Sequence, residues 1–80
     1  MIDMIEMSPG ESAIIDTTAN IVSIINLTTR LDVYKEGEGN VLIKLGWGEI
    51  FSLGVSQGRF IIINNGDITS RVYIVRQFIL

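Results

Sequence analysis

The chain has 80 residues, a formal net charge of −3, and neither cysteine nor histidine. The first absence rules out disulfides and thiolate sites. The second removes the commonest zinc ligand and the commonest general base. A chain this short makes one domain, here residues 1–80, and its stability is marginal unless disulfides, metals or partner subunits help. With the first two helpers discounted, association between subunits is the expected one. Apolar residues make up 48% of the chain and charged residues 19%, against about 25% charged in an ordinary soluble domain. The acidic balance argues against a nucleic-acid backbone as partner. No apolar run approaches the ~18 residues of a membrane helix. The start, Met1-Ile-Asp-Met-Ile-Glu6, is acidic and lacks the basic opening of a signal peptide, so a cytoplasmic protein is expected.

In chain order, Ile2 to Met7 alternates loosely and predicts an edge strand. Ser8-Pro9-Gly10-Glu11 predicts a type II turn, with Pro presetting φ and Gly supplying φ > 0 at the next position. Ser12 to Asp16 predicts a short strand, broken by Thr17-Thr18-Ala19-Asn20. Ile21 to Leu27 is apolar on both faces: Ile21, Ile25 and Leu27 point one way, Val22 and Ile24 the other. Such a strand is central in a sheet or lies at a contact between subunits. Its β-branched density outweighs a helical reading.

Leu31 to Lys35 and Val41 to Leu45 predict a hairpin across the turn Glu36-Gly-Glu-Gly-Asn40. Gly46-Trp47-Gly48 turns the chain again, and Glu49 to Leu53 is the next strand. After the turn Gly54 to Gly58 comes the most strongly patterned stretch, Arg59 to Arg76. It reads as two strands joined by Asn65-Gly66, a dipeptide suited to a two-residue type I′ turn. That register pairs Ile62 with Thr69 and Phe60 with Arg71. One face then holds Arg59, Ile61, Ile63, Ile68, Ser70, Val72 and Ile74, and is the expected core face. The other holds Phe60, Ile62, Asn64, Asp67, Thr69, Arg71, Tyr73 and Val75. Gln77 to Leu80 continues the last strand or docks elsewhere. Seven or eight short antiparallel strands with turns every 8–12 residues predict an all-β, single-domain β-sandwich of jelly-roll or immunoglobulin-like type.

Catalysis lacks its parts. Without His, a Ser–Lys pair using Lys35 or Lys44 is what remains for a nucleophile. The carboxylates fall mostly in or beside turns, and no enzyme is expected. Glu36, Glu38 and Asn40 alternate with glycines and offer oxygens to a hard cation, but the EF-hand pattern is absent and a plain hairpin turn is the better account. Neither glycine-rich phosphate motif is present, so no metal or other cofactor is expected. Asn26-Leu27-Thr28 matches a glycosylation sequon by chance at the end of an apolar strand. The cations Arg30, Lys35, Lys44, Arg59, Arg71 and Arg76 are dispersed and are expected to pair with acids. Trp47, between two glycines, has three readings: a platform for a sugar ring, a knob filling a neighbouring subunit, or a cover folded over its own core.

The closing pattern Phe60-Ile-Ile-Ile-Asn-Asn-Gly-Asp-Ile-Thr-Ser-Arg-Val-Tyr-Ile-Val75, with Val22-Ser-Ile-Ile-Asn-Leu27 before it, resembles small all-β phage virion proteins such as head-decoration and adaptor subunits. That resemblance implies a homo-oligomer on a capsid or tail lattice, located in the virion, with no catalytic residue. The residues themselves point to association too. A two-sided apolar hairpin needs a second cover, and the expected interface is Trp47, Phe60, Ile62, Arg71, Tyr73 and Val75. Burying about 500 Å² of apolar surface per subunit gives roughly 12 kcal/mol before the entropy cost of association. The alternative function is a small ligand-binding module, most plausibly for carbohydrate, built on Trp47.

Overall fold

Each of the eight stretches expected to be extended forms a strand, because β-branched and alternating residues between Gly, Pro and Asn breaks favour extended backbone. The computed structural model describes residues 1–18, 20–55 and 57–78. The strands are β1 (Ile2–Met7), β2 (Ser12–Asp16), β3 (Asn20–Asn26), β4 (Leu31–Lys35), β5 (Ile43–Leu45), β6 (Ile50–Leu53), β7 (Arg59–Asn64) and β8 (Ser70–Phe78). There is no helix among the described residues, and so none that could cross a membrane. The expected extension through Ile79 and Leu80 lies outside the described residues, as do Ala19 and Ser56 within two of the expected turns.

Pairing is nested. β1 pairs with β8, β2 with β7, β3 with β6, and β4 with β5, all antiparallel. The chain is thus one long hairpin with its tip between β4 and β5. The hairpin is wound so that β3 also pairs with β8 and β4 with β7. Two four-stranded sheets result, ordered β1-β8-β3-β6 and β2-β7-β4-β5. This is the jelly roll of the two expected topologies. The first sheet contributes Met7, Val22, Ile24, Leu53, Val72 and Ile74 to the core between the layers. The second contributes Ile15, Leu31, Val33, Leu45, Phe60 and Ile62.

The turn at Ser8–Glu11 forms as expected: Gly10 has φ +83° and Glu11 N–H donates to Ser8 O at 3.0 Å. The hairpin of β4 and β5 also forms, with Leu31 opposite Leu45 and Val33 opposite Ile43.

The closing hairpin does not form. β7 belongs to the second sheet and β8 to the first. Residues 65–69 carry the chain across the sandwich, and Gly66 has no left-handed φ. Asn64 diverts the chain. Its side-chain oxygen accepts from Gly66 N–H at 2.9 Å, and its amide donates to Ile68 O and Met7 O, each at 2.8 Å. Gly66 is needed for space instead, since a Cβ there would run into the Thr29 side chain. The face assignment therefore holds for β8 and inverts for β7. Ser70, Val72 and Ile74 point inward as expected, and so do Phe60, Ile62 and Asn64, while Ile61 and Ile63 are half-buried on the outside. The connections after β5 and β6 likewise cross between sheets and are not meander turns.

Three corners, where paired strands pass together from one sheet to the other, each hold a buried polar side chain. Asn64 is the first. Thr17 is the second: its hydroxyl donates to Gly58 O at 2.8 Å and accepts from Gln57 N–H at 2.9 Å. Asn26 is the third: its amide donates to Leu45 O at 2.9 Å, to Gly46 O at 3.0 Å, and to Thr29 O. Buried backbone carbonyls that have left one ladder and not joined another need such donors. Because its amide is spent inside the fold, Asn26 is no glycosylation acceptor.

Two predictions follow from this packing. Phe60→Ala is expected to cost about 3–5 kcal/mol as a core truncation, whereas Tyr73→Ala on the outside should cost under about 1 kcal/mol. Urea unfolding of the dilute chain measures both, and a near-neutral Phe60→Ala would contradict the inward placement. Hydrogen bonds from the Ser8 backbone N–H to Glu11 (2.6 Å), and from the Thr18 backbone N–H (2.9 Å) and then its hydroxyl (2.7 Å) to Asp16, hold both carboxyls below their usual range. Groups depressed in the folded state stabilise it above their unfolded pKa, and that contribution is lost as pH falls below about 4. Glu11→Gln with Asp16→Asn should flatten the acid limb of stability against pH. An unchanged limb would show that these bonds do not persist in solution.

Candidate functional site

The outer faces of the two sheets differ in chemistry. On the first sheet, register places Met4, Tyr73, Ile25 and Ile50 side by side in a row that crosses all four strands. The next row is Ile2, Val75, Ser23 and Ser52, and beyond it Gln77 lies beside Ile21. Ile2, Met4 and Ile50 are more than half exposed, Tyr73 is 37% exposed, and Ile21, Ile25 and Val75 are half-buried. The Ser23 and Ser52 hydroxyls bond each other at 3.0 Å. Each therefore has a partner within the sheet, which lowers the cost of taking them out of water. The charges on this face are Glu6 and Arg71, opposite each other at one margin and paired at 3.8 Å.

On the outside of the second sheet, Ile14, Ile61 and Tyr34 form a shorter apolar row. Charges flank it on both sides: Asp16 beside Arg59 in one direction, Asp32 and Lys44 in the other. Asp32 is buried, and its carboxylate accepts from the Asn65 amide at 2.7 Å and pairs with Arg30 at 3.4 Å. Single apolar residues on a surface are ordinary, but a contiguous uncharged apolar patch marks a binding surface. The first sheet's outer face carries the longer uncharged apolar run and is the candidate surface.

The residues expected at an interface separate into three groups. Phe60 and Ile62 are 3% and 0% exposed and face the core, so they do not lie at a surface contact. The expectation failed because it carried face parity through a turn that is in fact a crossing. Tyr73 and Val75 lie in the patch and Arg71 at its margin. Trp47 is 80% exposed, which overturns the reading of it as a cover for its own core. It rides on a turn fixed by Glu49 N–H to Gly46 O at 3.2 Å and by Gly48 N–H to Asn26 O at 2.7 Å. Gly48 supplies φ +77°, which a two-residue tip of this kind requires. Because Glu49 directly precedes Ile50, the turn sits beside the last residue of the apolar row.

Met4, Ile25 and Ile50 complete the patch and were not singled out from sequence. The signal for Ile25 was present in the two-sided apolarity of its strand. Met4 and Ile50 sit on edge strands, and only register joins them to it.

Other candidate chemistry does not assemble. Among the described residues no three acidic side chains gather where they could hold a metal ion, and no pocket opens. Glu36 at the hairpin tip pairs with Arg59 at 3.4 Å, while Glu38 and Asn40 are exposed. All four arginines have carboxylate partners within the chain, the remaining one being Arg76 with Asp3 at 2.7 Å.

No family model and no curated protein matches the sequence. Solved structures do match its fold. A de novo designed double-stranded β-helix solved by NMR is 18% identical with a TM-score of 0.79, over 96% of this chain and 99% of that one. The Schizosaccharomyces pombe Cnp3 cupin domain is 20% identical with a TM-score of 0.77, over 98% of this chain and 55% of that one. Drosophila melanogaster CENP-C bound to CAL1 is 16% identical with a TM-score of 0.74, over 96% of this chain and 61% of that one. At these identities the likeness shows the fold alone, and the chain spans little more than half the length of the CENP-C and Cnp3 chains.

Proposed function

We propose that this chain is a non-enzymatic assembly module that works by protein–protein association, including self-association, through the outer face of the β1-β8-β3-β6 sheet. The observation that carries the reading is the four-strand row Met4, Tyr73, Ile25 and Ile50, apolar throughout and with charge confined to one margin. Such a surface gains from being covered, at ~25 cal/mol per Å² of apolar area. The absence of His and Cys from the sequence supports a non-catalytic role. A domain of similar fold, that of CENP-C, is bound to CAL1, which is compatible with this fold serving as a docking body. The virion setting, with the chain decorating or adapting a capsid or tail lattice, rests on sequence texture and is part of the proposal. Co-purification of the chain with a larger particle is the result expected of that setting, and a chain recovered free of any particle would remove it.

Light scattering is expected to give a mass above the 8.9 kDa of one chain at micromolar concentration and higher. Tyr73→Glu should weaken self-association by about 30-fold or more, the effect of an aromatic hot spot worth ~2 kcal/mol. Circular dichroism should stay unchanged. A stable monomer at high concentration would overturn self-association.

The exposure of Trp47 favours a second reading, a carbohydrate-binding module in which the indole stacks on a sugar ring. It predicts a saturable change in Trp emission on adding oligosaccharides. Emission unchanged across a broad glycan panel would remove it.

A further inference from the structure

The crossing between β7 and β8 carries a chemistry that neither the fold nor the proposed association uses. In Asn65-Gly66 the backbone nitrogen of the second residue readily attacks the side chain of the first, because glycine puts no Cβ in the way. Asparagine counts among the thermolabile residues. We infer that Asn65 is a deamidation site, held closed by the folded crossing, whose product prevents the crossing from forming again.

The step balances. A base takes the proton from Gly66 N–H, the nitrogen bonds to Asn65 Cγ, and the Cγ–Nδ2 bond breaks. The base returns its proton to the departing ammonia. A five-membered succinimide remains, and water opens it at either carbonyl. The products are aspartate or isoaspartate at position 65, the second with the main chain routed through Cγ. Nothing is oxidised or reduced.

Both reacting groups are engaged in the fold. Gly66 N–H donates to Asn64 Oδ1 at 2.9 Å, and the Asn65 amide donates to Asp32 Oδ2 at 2.7 Å. Asn65 N–H donates to Arg30 O at 3.1 Å. Asn64 is itself buried and tied to Met7 O and Ile68 O. The attack therefore waits for these bonds to open together, which is a local unfolding of the corner. Asn65 is exposed, so water and base reach it there. The other four asparagines precede Ile21, Leu27, Val41 and Asn65, whose side chains hinder the same attack.

The products do not fit the closed corner. Asp32 is 2% exposed, and its charge is answered by Arg30 at 3.4 Å and by the Asn65 amide. Aspartate at 65 replaces that donor with a second carboxylate, and like charges so placed oppose each other. Isoaspartate also adds a main-chain carbon beside Gly66, where even a Cβ would collide with the Thr29 side chain. Opening is reversible, but deamidation while open is not.

The intact chain is incubated at mildly alkaline pH, once in buffer and once unfolded in urea. Trypsin then releases Phe60–Arg71. Mass spectrometry follows its deamidation, and fragment ions place the change at Asn65 or Asn64. Conversion of Asn65 should be about tenfold slower or more in buffer, a protection set by local opening. Equal rates would overturn the closed site. N65D, which carries the aspartate product, should lower the urea midpoint. N65D/D32N exchanges donor and acceptor and should recover most of the loss. A midpoint for N65D equal to that of the parent chain would overturn the one-way consequence. A double variant no more stable than N65D would overturn the role given to Asp32. Should N65D fail to fold, a folded N65D/D32N by circular dichroism supports the opposition of carboxylates, and an unfolded one counts against it.

Discussion

The fold depends on hydrogen bonds made where the wound hairpin turns its corners. A strand that leaves one sheet for the other breaks its backbone ladder inside the protein. The carbonyls and N–H groups left behind have no water to turn to, and each unsatisfied group costs about 1–3 kcal/mol. Three buried side chains meet that demand: Asn64, Thr17 and Asn26. Each is short and polar, and each bonds backbone from a segment distant in sequence, Met7 for Asn64 and Gly58 for Thr17. Asn26 also links the strand pairs β3–β6 and β4–β5 at their shared corner through Leu45 and Gly46.

The layering follows from those corners. Once β7 and β8 are sent to different sheets, Phe60 and Ile62 become core residues facing Val72 and Ile74 across the sandwich. The apolar surplus of the sequence then divides unevenly. The inner faces take the residues that fill the core. The outer face of the second sheet is flanked by Asp16, Arg59, Asp32 and Lys44. The outer face of the first sheet keeps a run of Ile, Met, Tyr and Val with one neutralised ion pair at its margin. In a domain of this size the core is small, and a second apolar layer on one side is a large fraction of the whole.

Electrostatics sharpen the contrast. The arginines pair with acids in their own chain, so their charge is directed inward to local partners rather than outward to a ligand. Among the described residues no three acids gather where they could hold a cation. The first sheet's outer row and Trp47 stand apart from this pairing as exposed or half-buried uncharged groups.

Much of this was legible in the chain itself. The eight strands, the Ser8–Glu11 turn, the hairpin of β4 and β5 and the inward face of β8 follow from short-range rules, because backbone preference and side-chain alternation act over a few residues. The two-sided apolarity of β3 also announced the apolar residues Ile21 and Ile25 on the sheet's outer face. Asn65-Gly66 misled because the same dipeptide suits a tight turn and a crossing loop. The choice between them was made by Met7, Thr29 and Ile68, which reach it only in the folded state. The tertiary structure alone decided which strands are neighbours, and therefore that Phe60 faces inward and that Met4, Tyr73, Ile25 and Ile50 form one row. Strand pairing joins residues dozens of positions apart, and no local pattern records its register.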